Sequence, residues 1–130
     1  MVLRLVAGFF VVLHGLVHLL YFAQSRRRFE LHPGIVWPDR PWAFSRLAGV
    51  EATRWLAAMA CILAAIGFVV GGGAILLEQA WWQPVVVGAA AFSTAIWVVF
   101  WDGKMQKLAD QGAIAILLNL AILALVIVFE

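Results

Sequence analysis

Leu5-Val6-Ala7-Gly8-Phe9-Phe10-Val11-Val12-Leu13-His14-Gly15-Leu16-Val17-His18-Leu19-Leu20-Tyr21-Phe22 is the stretch that decides the fold. It contains no Asp, Glu, Lys or Arg, and its length approaches the roughly 20 apolar residues that a helix needs to cross a bilayer's hydrocarbon. Three further stretches read the same way, from about Ala52 to Val70, Trp81 to Trp101 and Ala113 to Phe129. None alternates like a strand, and an open sheet would leave backbone groups unsatisfied in lipid. The expected fold is all-α: an integral membrane four-helix bundle forming one domain over residues 1–130. Short connections, including one from Gly71-Gly72-Gly73 onward, make it up-down-up-down.

Composition agrees. The 130 residues are 65% hydrophobic and 12% charged, with a mean hydropathy of +1.01. A soluble domain has about 45–50% apolar and roughly 25% charged residues, so lipid is the solvent for much of this surface. Nucleic acid is not an expected partner. The lone cysteine, Cys61, lies inside an apolar run and reads as a packing residue, which leaves no internal disulfide and no cysteine-based metal site. Arg4 ahead of an apolar run imitates a signal peptide. No small-residue cleavage pattern follows, however, and the first segment reads as a mature helix.

The placement of charge sets the expected orientation. Arg26, Arg27, Arg28, Arg40, Arg46 and Arg54 follow the first span, and Lys104 and Lys107 follow the third, leaving only Arg4 on the other side. By the positive-inside rule both basic regions face the cytoplasm of an inner (cell) membrane, and both termini are non-cytoplasmic. The stretch from about Gln24 to Val50 is broken by Pro33, Pro38 and Pro41 and carries Phe29, Trp37, Trp42 and Phe44. It is expected to lie on the headgroups, with Asp39 near a helix start opened by Pro41. Arg26, Arg27 and Arg28 are the expected contacts to anionic lipid.

Polar groups within apolar spans are costly, so their positions carry information. With cytoplasmic boundaries near Phe22, Glu51, Trp101 and Ala113, the groups His14, His18, Ser93, Thr94 and Asn119 fall in the cytoplasmic half, and Tyr21, Arg54 and Asp102 at its edge. Ala7, Val11, His14, His18 and Tyr21 share one helical face. Arg54, Ala57 or Ala58, Cys61 and Ala65 make a similar stripe on the second span, and Gly67 to Gly71 has small-xxx-small spacing. These eight polar and boundary residues form the candidate ligand cavity. His14 and His18, at i and i+4, are also the candidate metal ligands; a site would need Asp102 or Glu51 as well, and haem would need a further histidine, for which the loop residue His32 is poorly placed. Otherwise the pair hydrogen-bonds Ser93, Thr94 or Asn119 and specifies packing. Glu51 and Arg54, three apart, can pair with each other.

His14-Gly15-Leu16-Val17-His18-Leu19-Leu20, Phe100-Trp101-Asp102-Gly103-Lys104 and Asn119 together resemble a type of small bacterial inner-membrane protein with four helices and no assigned activity. The layout is also similar to DoxX-like proteins. The sequence departs from that pattern at Gly103-Lys104-Met105-Gln106, which separates the end of the third span from it. Small multidrug transporters are similar in size but depend on a carboxylate in the first helix, where this chain has His14.

No nucleophile-and-base set, P-loop or dinucleotide fingerprint is present, so the expected function is non-enzymatic. The bundle binds a small ligand or a membrane protein partner, or a second copy of itself, through a cytoplasmic-side polar cavity, without a cofactor. The alternatives are a small oligomeric proton-coupled transporter using His14 and His18, and a redox subunit with metal or haem.

Overall fold

Long runs of Leu, Val, Ala and Phe, interrupted in their interiors by no proline, make the helices. Pro84 falls in a helix's first turn, where its missing N–H has no intrahelical partner to lose. A computed structural model gives α1 (Val2–Ser25), α2 (Gly49–Leu76), α3 (Trp82–Val99) and α4 (Ala113–Val128), with a 3-10 turn at Ala109–Gln111. It describes residues 1–28, 30, 33–34, 37–43, 46–105 and 108–129, with Asp110 as backbone only. Phe29, His32, Phe44, Gln106 and Lys107, named above, lie outside the described residues. Among the described residues there is no strand.

The three helices α1, α2 and α3, of 24, 28 and 18 residues, are long and apolar enough to cross a membrane. The fourth expected span is the short one: α4 is apolar but has 16 residues. At 1.5 Å per residue that is about 24 Å, against a hydrocarbon core of about 30 Å.

The glycine run after Val70 corrects the expectation of a loop there: Gly71, Gly72 and Gly73 are helical, and α2 continues to Leu76. The reason is a close approach between backbones. A Cβ on Gly72 would fall 2.8 Å from the Gly8 carbonyl oxygen and 2.9 Å from the Val12 nitrogen. Gly15 packs in the same way over Phe68 and the Ala65 carbonyl, so α1 and α2 meet along a seam of small residues. Ion pairs close its two ends, Arg4 to Glu78 at 2.6 Å and Arg26 to Glu51 at 3.0 Å. The small-xxx-small spacing on α2 serves α3 instead: Gly71 faces Val86 and Gly67 faces Ala89.

Both α1 and α2 end in the same six-residue turn. Arg28 N–H donates to the Ala23 carbonyl and Arg27 N–H to that of Gln24; Gln79 and Glu78 donate likewise to Ala74 and Ile75. The turn needs a left-handed residue, supplied here by Arg27 (φ 55°) and Glu78 (φ 57°) rather than glycine. At the 3-10 turn that leads into α4 the corresponding demand is met by Gly112 (φ 106°), where a Cβ would also strike the Trp97 ring at 2.5 Å.

Part of the segment between α1 and α2 is folded into the bundle end. Trp37 is 2% exposed, and Pro38 and Pro41 are buried with it. The Trp37 ring packs against Tyr21, Trp97 and Phe100 with centroids 5.3, 5.2 and 6.2 Å away. Helix α2 starts at Gly49, so neither Pro41 nor Asp39 opens it. Asp39 instead accepts from Arg54 Nε and Nη2 at 2.8 and 2.9 Å, and from Arg27. The expected Glu51–Arg54 pairing gives way to this arrangement, because a forked guanidinium binds a carboxylate through two parallel hydrogen bonds.

Candidate functional site

Two apolar clusters fill the interior. One is built on Val11, Phe68, Val86, Ile122 and Val126, the other on Trp37, Cys61, Ile96, Trp97 and Phe100. The polar residues sit where the clusters meet. His18 lies between Phe68 and Trp97, with ring centroids 5.3 and 5.8 Å away. The spacing of α1 requires this: Ala7, Val11, His14 and His18 all turn inward and all are buried.

The hydrogen bonds fix each proton. His14 Nε2–H donates to Asn119 Oδ1 at 2.8 Å. Asn119 Nδ2 then gives its two protons to Ser93 Oγ at 3.0 Å and Thr94 Oγ1 at 3.1 Å. Thr94 passes its own proton to the Ala90 carbonyl at 2.9 Å. His18 Nδ1–H donates to the His14 carbonyl at 3.0 Å, which leaves Nε2 as an acceptor for the Ser93 hydroxyl at 2.8 Å. Ser93 also accepts from Trp97 Nε1 at 3.2 Å and so reaches its full capacity of one donated and two accepted bonds. One atom of the network is left over: His14 Nδ1, a buried acceptor with no partner among the described residues.

Of the expected cavity residues, His14, His18, Ser93, Thr94 and Asn119 are brought together, joining α1, α3 and α4. Tyr21 belongs to the aromatic layer next to them, its ring 4.6 Å from that of Trp97. Arg54 and Asp102 lie elsewhere. Arg54 pairs with Asp39, while Asp102 caps the turn after α3, accepting from Lys104 N–H at 2.8 Å and donating its own N–H to Gln111. The interior is packed, with Ser93 and Asn119 wholly buried. Clefts among the described residues lie away from it. A pocket of about 40 Å³ is lined by Arg4, Ile75, Trp82, Leu125 and Phe129. A wholly apolar groove of about 240 Å³ runs along Leu19, Ile62, Ala65 and Val69.

The histidines do not converge as a chelating pair. Their rings stand at 90° with centroids 5.2 Å apart, and one Nε2 is committed to α4 while the other is committed to α3. Among the described residues no group of three or more His, Cys, Asp and Glu is placed to hold a metal ion.

Sequence reasoning missed Trp97, Trp37 and Asp39. Trp97 follows Ser93 by four residues, so its indole lies over the hydroxyl, a signal legible in the spacing. Trp37 gave none, being one aromatic among several in an irregular segment. For Asp39, partial burial pushes the carboxyl up, but hydrogen bonds from Arg54 and Arg27 and their charges outweigh this and hold it below its ordinary value. No family model, curated protein or solved structure matches the chain.

Proposed function

We propose that the chain is a non-enzymatic multi-pass protein of a bacterial inner membrane. Its four helices run up-down-up-down, both termini are non-cytoplasmic, and a small ligand or partner protein is bound at the loop end. One observation carries the reading: the buried polar network is closed on itself, with every donor given a partner. Such a network orders helices, and recognition then falls to the segment that carries Trp37, Asp39 and the arginines. A reporter fused after Glu130 is expected to be non-cytoplasmic and one inserted between Gln24 and Val50 cytoplasmic; reverse labelling overturns the orientation.

The functional test uses cells in which deletion of the gene has a phenotype. His14→Gln and His18→Gln are expected to restore growth, because an amide still donates and accepts. Asp39→Asn, which frees the loop, is expected to fail while the protein still accumulates in the membrane. Failure of the glutamine variants with the fold intact would reverse the assignment.

That outcome would favour a small oligomeric proton-coupled carrier. The unpartnered Nδ1 of His14 supports this second reading, since it is the one network atom able to take a proton without losing a hydrogen bond. Proton flux into liposomes that disappears in His14→Gln would establish it.

A further inference from the structure

The arginines of the loop end fall into two groups. Arg26 stacks on the Trp55 ring at 3.9 Å and pairs with Glu51, while Arg27 and Arg54 share Asp39. These three are committed within the protein. Arg28, Arg40 and Arg46 are exposed, and none makes an ion pair among the described residues. The expected contact triplet of Arg26, Arg27 and Arg28 therefore divides, with only Arg28 still available.

The three available arginines belong to one end of the bundle. Arg28 follows Arg27 directly, and Arg40 follows Asp39, which Arg27 and Arg54 pin in place. Arg46 precedes the first residue of α2, Gly49, by three positions. Tryptophans mark the depth. Trp42 is 60% exposed, yet its position is fixed by its N–H to the Trp101 carbonyl at 2.7 Å and by its indole to the Val98 carbonyl. Trp55, in the second turn of α2 and stacked under Arg26, is 52% exposed. Exposed tryptophans held at the ends of apolar helices lie at the headgroup boundary, and the loop arginines lie beyond them, among the headgroups.

We infer that Arg28, Arg40 and Arg46 form a binding surface for anionic phospholipid headgroups, with Trp42 and Trp55 seated in the same leaflet. Of the acids near this surface, Asp39 and Glu51 are engaged by arginines and Asp102 by a backbone N–H; Glu30 is exposed, so the loop keeps more free cations than free acids among the described residues. The opposite end has Arg4 already paired with Glu78 and offers no comparable set among the described residues. The inference rests on the membrane reading above.

The test reconstitutes the whole chain into nanodiscs of mixed phosphatidylcholine and phosphatidylglycerol, then releases it and weighs the lipids that stay bound by native mass spectrometry. Each basic residue near an anionic surface is worth about 1 kcal/mol, so the wild type should retain phosphatidylglycerol in preference, and each of Arg28→Gln, Arg40→Gln and Arg46→Gln should cut that preference about fivefold. Raising the salt concentration should weaken it as well. Arg4→Gln removes the same charge from the other end and should change nothing. None of the three arginines holds an ion pair among the described residues, so the triple variant should melt in neutral detergent at the wild-type temperature, which separates lost binding from lost folding. Incorporation without preference for phosphatidylglycerol overturns the inference alone. So does an equal loss in Arg4→Gln, or variants that lose only a cross-linked acidic protein neighbour. Failure to enter nanodiscs at all overturns the membrane reading instead.

Discussion

At Gly8 and Gly72, α1 and α2 close by bringing backbone against backbone, whereas at His18 the same first helix reaches past its neighbour to a hydroxyl on α3. The first contact is steric and tolerates no added atom. The second is a set of directed bonds that a different polar group can imitate. Cohesion in the first region thus depends on what is absent from the side chains, and in the second on what they carry. Substitutions that look equally mild should therefore have unequal effects.

The largest effect is expected from Gly72→Ala. The added Cβ meets the Gly8 oxygen and Val12 nitrogen, which are backbone atoms and cannot swing away. Overpacking of this kind costs about 1–3 kcal/mol, and the upper value applies because both helices must separate. Thermal unfolding in detergent, followed by circular dichroism, measures it; an unchanged midpoint would remove the steric half of the comparison.

Next is Ser93→Ala, which strips partners from His18, Trp97 and one Asn119 proton together. A buried group left without its partner costs about 1–3 kcal/mol, and a loss near 2 is expected from the same melting assay. His14→Leu should follow, costing about 0.6 and at most about 1.7 kcal/mol, while His14→Gln stays close to wild type. The gap between the leucine and glutamine variants sharpens the contrast with Gly72, where no residue rescues.

Acid should loosen the loop through Asp39. The Asp39 carboxyl is held below its ordinary value of 3.8, so its ion pairs contribute fully above that pH and are lost as pH falls through the depressed value. The burial of Trp37, read by fluorescence quenching, should hold at pH 4 to 7 and weaken only below that range. Asp39→Asn should show the loosened signal at every pH, worth about 1 kcal/mol as a partly exposed pair. The smallest effect is expected from Glu78→Gly. It relieves a left-handed residue but removes the exposed pair with Arg4, for a net gain below about 1 kcal/mol.

The sequence showed most where one residue's environment is set by its own helix. The apolar runs place the helix ends to within about three residues except at the end of α2, which runs six residues past Val70, and the turn-by-turn spacing of Ala7, Val11, His14 and His18 picks out the buried face. It misled where a distant residue decides. Gly71-Gly72-Gly73 reads as a break until Gly8 is known to lie against it. Asp39 reads as a helix start until two arginines from different helix ends converge on it. His14, His18, Ser93, Thr94 and Asn119 could be grouped by depth alone, but depth carries no angular information, so the saturated geometry of Ser93 and the exclusion of Arg54 and Asp102 were not legible.

The hydrogen bond from His14 to Asn119 spans 105 positions of chain and that from His18 to Ser93 spans 75. Ribosomes add roughly 5–20 residues per second, so in the proposed topology the first helix waits some 5–20 s for its last partner. In that topology His18 has the His14 carbonyl within its own helix from the start, but it waits for Ser93, and His14 waits longer for Asn119. The α1–α2 glycine seam needs only the first 76 residues and can form meanwhile, covering one side of the histidines. In the proposed membrane topology the glycine seam would thus form first and shelter one side of an unfinished polar face until the segment carrying Asn119 is made.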